Sequence, residues 1–476
     1  MLPPSLYNLL VPDAPPHRRT ERDVPSSPEA GLRARVAGFL REAAVQPGLQ
    51  TPSLVSSFQG AIRAILFAFP TGGVLDPLSV AAYRSVLAAL RPGTRFAAVH
   101  NVRDRAAVEE WFAAAGHAAE SVTYVPLPDY VTFTDWAEDG YVALHDLADG
   151  SGYLMEPWEF PRAGDALIAE AAQEYVGLRA AQAPLIFQGG NCLVGDDFWL
   201  LGRDYFADSV NLLARPRPPV ATPDGTTPEA FVRRLFADYV DAGRTLIGIG
   251  TTREIPLRGA YGTRERDAFF LDLPAEGVGT FQPIFHIDMF VTLIGRNGAG
   301  AFEVLVGSPR LADQLLGTRS PFGLDEVYDA IADDLAGAGF GVRRNPLVHR
   351  PTIGRALALA DIRRLATQPG NEALLGAVDE LALAGAGEAT AVRVRTWHHV
   401  TWNNCLVENS AAAGRHVYLP TYGHPPNADL RPLDEAMRSL WEDDLGFTAH
   451  LLGDFNAFAR RQGVVHCIKK YLDRGE

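Results

Sequence analysis

A mixed α/β fold made of repeated strand, strand, helix, strand units is what this sequence predicts, and three observations predict it. Short apolar runs rich in β-branched and aromatic residues alternate with stretches of helical period. The apolar runs recur in pairs, each followed by a helical stretch, which points to one domain of related modules rather than a string of separate ones. The 476 residues, 47% of them hydrophobic, supply a large core and exclude disorder of the whole.

Residues 1–50 are rich in Pro, Arg, Ser and Glu and read as a loosely ordered arm ending in the helix EAGLRARVAGFLREAAV. The body, 51–476, then opens with the strand AIRAILFAFP, the helix PLSVAAYRSVLAALR, the strand RFAAVHN, the helix DRAAVEEWFAAAG and the strand SVTYVPLP. Strand pairs follow at APLIFQGGNCLVGDDFWLLG, at FHIDMFVTLIG with FEVLVGSP, and at NNCLVEN with HVYLPTYG, before the terminal VVHCIKKYL. The segment PLDEAMRSLWEDDLG is the helix expected after the last full pair. Between about 310 and 395 the chain is rich in Ala, Leu and Arg, and reads as helices inserted between two modules of a single catalytic domain.

A formal net charge of -14 argues against a nucleic-acid partner and suits a cationic substrate. The three cysteines, Cys192, Cys405 and Cys467, form no CxxC pair, so neither a disulfide framework nor a thiolate zinc site is expected. They fit a reducing compartment. The start MLPPSLYNLLVPDAPPHRRTERD lacks the apolar run of a signal peptide, and no later stretch is long and apolar enough to span a bilayer. A cytoplasmic protein with no membrane partner is the expectation.

The residues that can carry chemistry begin at the end of the chain, with Cys467 in RRQGVVHCIKKYLDRGE. GVVHCI reads as a short strand, on which His466 and Cys467 point to opposite faces, so a proton-transfer partner has to come from elsewhere. The other reading of Cys467 is a buried structural thiol. In FHIDMFVTLIG, His286 and Asp288 share a strand face, costly to desolvate unless used, though a hydrogen-bonded core histidine beside a turn aspartate also fits. In TDWAEDGYVAL, Asp135, Glu138 and Asp139 crowd around Trp136, as an acidic turn or as a seat for a planar cation between aromatic face and carboxylate. Gly189 and Gly190, followed by Asn191 in FQGGNCLV, permit a tight turn or close backbone approach, but no dinucleotide or P-loop glycine pattern is present. Cys192 and Cys405 lie on apolar runs and read as core thiols, and Asn403 and Asn404 either orient a substrate or close a turn.

Taken together these segments resemble the guanidine-modifying enzymes of the pentein fold, most closely the catalytic domain of protein-arginine deiminases, with agmatine deiminases as bacterial cousins. DFNAFARRQGVVHC is similar to the deiminase segment carrying the nucleophile, HIDMF to the His-x-Asp-x-Phe strand, WAEDGY to the Trp-x-x-Asp stretch, FQGGNCLV to the glycine-led turn into a strand, and VLVGSPR to the strand after His-x-Asp. The resemblance covers the body from about 55 onward, in the family's order. It implies a five-bladed pseudo-symmetric α/β propeller of ββαβ modules, with Cys467 as nucleophile, His286 as general acid/base, and Asp139 and Asp288 as guanidinium carboxylates. Trp136 would wall the substrate stem, Gly190 and Asn191 would border the site, and Arg461 would take a substrate carboxylate or peptide carbonyl or else lie on the surface.

The implied reaction converts a guanidinium to a ureido group and ammonia through a cysteine thiouronium, on arginine in protein or peptide. Alternatives are a small guanidine such as agmatine or free arginine, amidinotransfer to an amine, and a catalytically silent binding protein of the same fold. Animal protein-arginine deiminases carry calcium carboxylates just after the Trp-x-x-Asp aspartate, where this chain has Gly140, Tyr141 and Val142. With about six oxygen ligands needed for calcium, no metal or other cofactor is expected.

Overall fold

The computed structural model describes residues 39–44 and 49–475, apart from 217, 254, 256–258, 275–280, 319–321 and 369–370. The expected N-terminal arm therefore lies largely outside the described residues, and only 39–44 of its helix are seen. Five sheets make up the rest. Ala61–Phe69 lies between Arg95–Asn101, parallel to it, and Lys469–Gly475, antiparallel, and Val122–Leu127 extends the sheet beside Arg95–Asn101. The chain's last strand thus completes its first large sheet. AIRAILFAF has neighbours on both edges and its second half is buried on both faces, the reason it reads as a continuous apolar run.

The same local pattern repeats. Val142–Asp146 and Gly152–Glu156 form a hairpin, and the helix Ile168–Val176 leads to the parallel strand Arg179–Gln182. Cys192–Val194 and Phe198–Gly202 lead through the helices Asp204–Ala214 and Pro228–Tyr239 to Thr245–Ile249. Val291–Arg296 and Phe302–Ser308 lead through Pro309–Leu316 and Asp325–Gly337 to Gly341–Ala358. Leu406–Ser410 and Gly414–Thr421 lead through Arg431–Ser439 to Thr448–Asp454. Helix starts follow local chemistry: Asp76 accepts from the N–H groups of Leu78 and Ser79 ahead of Pro77, and Ser308 accepts from Leu311 ahead of Pro309.

The stretch expected to be helical between 310 and 395 holds four helices and also the 18-residue strand Gly341–Ala358. That strand runs beyond its module to pair with Ala391–Thr401, which is joined by Ala268–Leu273 and Tyr261–Glu265. The helices Leu359–Ala366 and Ala373–Leu383 cover this extension and enclose a small core of their own around Leu271, Ile362, Leu374 and Val394. Below it, the largest apolar cluster draws Phe67, Leu200, Val304 and Leu419 from four different sheets, and Ile287, Val465 and Cys467 belong to it. Among the described residues no helix is long and apolar enough to cross a membrane, and no group of His, Cys, Asp or Glu is arranged to hold a metal ion.

Candidate active site

Cys467 sits two residues before the closing strand Lys469–Gly475, and GVVHCI is a turn rather than the strand expected for it. The apolar run misleads because every residue from Gln462 to Ile468 is buried, and a buried turn shows no alternation to tell it from a strand. The turn changes the geometry. His466 does not face away: its Nδ1 lies 2.9 Å from Asp288 Oδ2, the same oxygen that lies 3.6 Å from Cys467 Sγ. Asn404 clamps the turn from the other side. Its Oδ1 accepts from the N–H groups of His466 and Cys467 at 2.9 and 3.2 Å, and its Nδ2 donates to Cys467 Sγ at 3.2 Å. A donor aimed at the sulfur favours the thiolate.

His286 and Asp288 are likewise on a short 3-10 turn, Ile287–Met289, and the strand starts at Val291. They still serve one site, because the turn is pinned: Asn191 Oδ1 accepts from the N–H of Ile287 at 2.8 Å and from Gln282 Nε2 at 3.1 Å. Gly190 is needed beside it, since a Cβ there would fall 2.5 Å from His286 Nδ1. At Gly189 a Cβ would fall 2.0 Å from the carbonyl of Glu138 and 2.4 Å from Lys470 Nζ, so the glycine pair marks where three segments converge. His286 Nε2 is 2.8 Å from Gln188 Oε1, and its Nδ1 is 3.6 Å from Asp139 Oδ1.

Asp139 is wholly buried, and its Oδ2 accepts from Arg162 Nη2 at 2.7 Å. The neighbouring Glu138 ties this loop to the Cys467 turn. Its N–H donates to the carbonyl of Cys467 at 3.1 Å, and its carboxylate takes Lys469 Nζ at 2.7 Å and Lys470 Nζ at 2.8 Å. Burial, only partly offset by Glu138, pulls the Lys469 ammonium down to about 8. Trp136 packs edge-on against Phe458 with ring centres 6.0 Å apart, and Gly463 is required against its ring, where a Cβ would come within 2.2 Å.

Arg461 is engaged by the protein's own side chains. It pairs with Asp135, donates to Ser79 Oγ at 3.0 Å and lies 5.5 Å from the Trp136 ring centre, so it buttresses the tryptophan. Asn403 belongs to a buried network with Thr292 and Asn345. Burial pushes the Cys192 and Cys405 thiols up to about 12, which leaves both inert at neutral pH. His466 is held well below the ordinary imidazole value by burial and by Lys469, Lys470 and Arg474, so its ring is neutral.

The structure thus brings Cys467, Asp288, His286, Asp139, Gly190 and Asn191 to one buried locus and gives Trp136 and Arg461 a supporting place beside it. Sequence reading missed Arg162, Gln188 and the role of His466. The only local signal was position: Gln188 directly precedes the glycine pair and His466 directly precedes the cysteine.

No family model matches the chain, and no curated protein matches it either. Among solved structures it is similar to a structural-genomics X-ray structure of a candidate agmatine deiminase, at 14% identity over 88% of this chain and 95% of that one, with a TM-score of 0.51. It is similar also to an agmatine deiminase of C. jejuni, at 11% identity over 90% and 98% of the two chains, again with a TM-score of 0.51. At such identities the likeness is one of fold. The chain shares the fold of these agmatine deiminases.

Proposed function

We propose that this chain is a hydrolase that deiminates a small guanidine through a covalent Cys467 intermediate. The observation that carries the reading is the buried set in which Cys467 Sγ lies 3.2 Å from Asn404 Nδ2 and 3.6 Å from Asp288 Oδ2, with His286 and Asp139 on the adjoining turn and loop. A guanidinium held by two carboxylates through charge-assisted hydrogen bonds has its central carbon fixed for attack. The thiol proton passes to His286, the sulfur bonds to that carbon, and the imidazolium returns the proton as the C–N bond breaks and ammonia leaves. Water then gives a proton to His286, its oxygen attacks the thiouronium carbon, the C–S bond breaks, the sulfur takes the proton back from His286, and the ureido product departs as its oxygen gives up its remaining proton to solvent.

A small guanidine replaces the protein-borne arginine expected from the sequence. Two features support it. The agmatine deiminases are the proteins whose fold this chain shares. Cys467, Asp139, Asp288 and His286 are all 2% exposed or less, so the reacting carbon has to reach groups that lie beneath the surface, which suits a free molecule better than a side chain anchored to a backbone. Arg461, engaged by Asp135, is not poised to take a peptide carbonyl. Four of the five sheets hold a hairpin joined to a parallel third strand, and in the fifth the last strand pairs antiparallel with Ala61–Phe69, which has Arg95–Asn101 as its parallel neighbour; this repetition supports reading them as the blades of a closed propeller. Three buried cysteines, none in a disulfide, support a reducing, cytoplasmic setting.

The test is formation of ureido product from agmatine, free arginine and an arginine peptide blocked at both ends, by the wild type and by Cys467→Ala. Turnover of a small guanidine, none of the blocked peptide, and a loss of roughly 1,000-fold or more in Cys467→Ala are expected. Turnover of the blocked peptide restores the protein-arginine reading, and full activity in Cys467→Ala removes the mechanism.

A further inference from the structure

An enzyme for guanidines has a reason to keep its own guanidinium groups off its substrate carboxylates, yet Arg162 is on one. From the segment PWEFPRAGD, its Nη2 donates to Asp139 Oδ2 at 2.7 Å and its Nε to Asp165 Oδ2 at 2.5 Å, and its guanidinium carbon lies 4.9 Å from the centre of the Phe160 ring. Asp165 is itself fixed, accepting from the N–H of Thr134 at 2.7 Å and from its hydroxyl at 2.6 Å. The turn that carries the pair presses on the Thr132 backbone, where a Cβ on Gly164 would come within 1.9 Å of the carbonyl oxygen. Arg162 is 10% exposed and Asp139 not at all.

Such an arginine either competes with the substrate and is expelled by it, or stays and serves Asp139. We infer that Arg162 is a positioning residue, which keeps Asp139 ionised and turned toward His286 while the substrate cation binds. Expulsion would strand Asp165, 2% exposed, without its cation and would break the contact with Phe160, and removing one partner of a buried pair is strongly unfavourable because it leaves a charge out of water uncompensated. A residue meant to leave would be tethered by less.

The charges around Asp139 give the arginine its task. Asp165 faces it across the guanidinium, His286 lies beyond Oδ1, and Glu138 is next along the chain with Lys469 and Lys470 on its carboxylate. The phenols of Tyr141 and Tyr205, which also feel Asp139, are pushed far up by burial and stay neutral. Without Arg162, Asp139 and Asp165 become two like charges buried together, which favours a proton on one of them. A protonated Asp139 no longer attracts a guanidinium.

The inference rests on the proposed chemistry only in that the site takes a planar cation. It is tested without turnover, by alkylating Cys467 with 2-chloroacetamidine, a planar cation, and with the neutral 2-chloroacetamide, and comparing the two rate constants by intact mass. Divided by the same ratio measured on a free thiol, their ratio reports how far the site favours a planar cation over a neutral reagent of the same shape. The wild type is expected to prefer the amidinium, and Arg162→Gln to lose roughly 10- to 100-fold of that preference at pH 7, the worth of one hydrogen bond to a charged group, and to regain it toward pH 9 as Asp139 ionises. Arg162→Lys, which keeps the charge but loses the fork that bridges Asp139 and Asp165, is expected to keep more of the preference than Arg162→Gln at both pH values.

A higher ratio in Arg162→Gln or Arg162→Lys overturns the inference in favour of a competitor, and an unchanged ratio with a lowered melting temperature overturns it in favour of mere packing. If Arg162→Gln does not fold, Arg162→Lys decides between retention and rise. A wild-type ratio near one is a different failure: it removes the guanidinium site itself, and the reading on which the inference stands.

Discussion

Asp139 and Asp288 are buried alike, 0% and 1% exposed, but they are held by different means. Asp139 rests on the fixed guanidinium of Arg162, whereas Asp288 meets the neutral ring of His466 and the thiol of Cys467 through one oxygen. The arginine is thus on Asp139, whereas the sulfur lies against Asp288. Beside the sulfur, a carboxylate charge opposes thiolate formation until a substrate cation arrives to offset it. On the proposed chemistry, this contrast would keep the Cys467 thiol quiet in an empty site until a cation enters it.

The largest effect is expected from cutting the tie between the halves. Glu138 joins the Asp139 loop to the Cys467 turn and is the shared anion of two buried lysines, Lys469 and Lys470, 0% and 4% exposed. Glu138→Ala leaves both ammonium groups buried and is expected to destabilise the fold by about 3–5 kcal/mol, read as a fall in the urea midpoint. A variant as stable as the wild type means that the two halves are not mechanically joined.

Next comes the asymmetry itself. Asp288→Asn is expected to lower kcat/KM for the guanidine substrate by roughly 100- to 1,000-fold while speeding alkylation of Cys467 by neutral iodoacetamide about 10-fold, since the charge opposing the thiolate is gone. Asp139→Asn is expected to lower kcat/KM without that gain in alkylation, because Arg162 already offsets the charge removed. Equal alkylation in the two variants erases the comparison. Smaller again is His466→Phe, which keeps the ring's bulk but removes the donor to Asp288 Oδ2; kcat/KM is expected to drop roughly 10-fold, about the worth of a hydrogen bond to a charged group. Unchanged kinetics would make His466 a packing residue only.

Much of this was legible in sequence, and what was not has a common cause. AIRAILFAF and the capped helix after Asp76 carry local signals, periodicity and N-cap chemistry, and form as read. The candidate residues Cys467, His286, Asp288 and Asp139 stood out because a nucleophile or a charged side chain in an apolar run is costly unless used. Arg162 meets Asp139 across 23 positions, Asn404 meets Cys467 across 63 and His466 meets Asp288 across 178, and no local pattern encodes such pairings. The errors at GVVHCI and HIDMF were of one kind: a turn buried on all sides has no exposed face to break its apolar run, so it reads as a strand.

A third buried cluster carries the comparison to its smallest effect. His349 and His399 face each other across the paired strands Gly341–Ala358 and Ala391–Thr401, with ring centres 4.7 Å apart, and His398 lies beside them in sequence. Burial lowers all three imidazoles, His349 to about 4 and His398 to about 3, so like His466 they are neutral in the fold, but no carboxylate and thiol pair depends on them. At pH 7.5 His349→Gln should therefore stay within about 1 kcal/mol of the wild type. Acid separates them. A group whose folded value lies below its unfolded one leaves stability intact above about 6.5, and stability falls as the pH drops from there toward 4, where the unfolded chain takes up protons that the fold refuses. The urea midpoint of the wild type is expected to fall over that window and to fall less in His349→Gln, with equal slopes meaning that His349 is not among the groups that make the fold sensitive to acid.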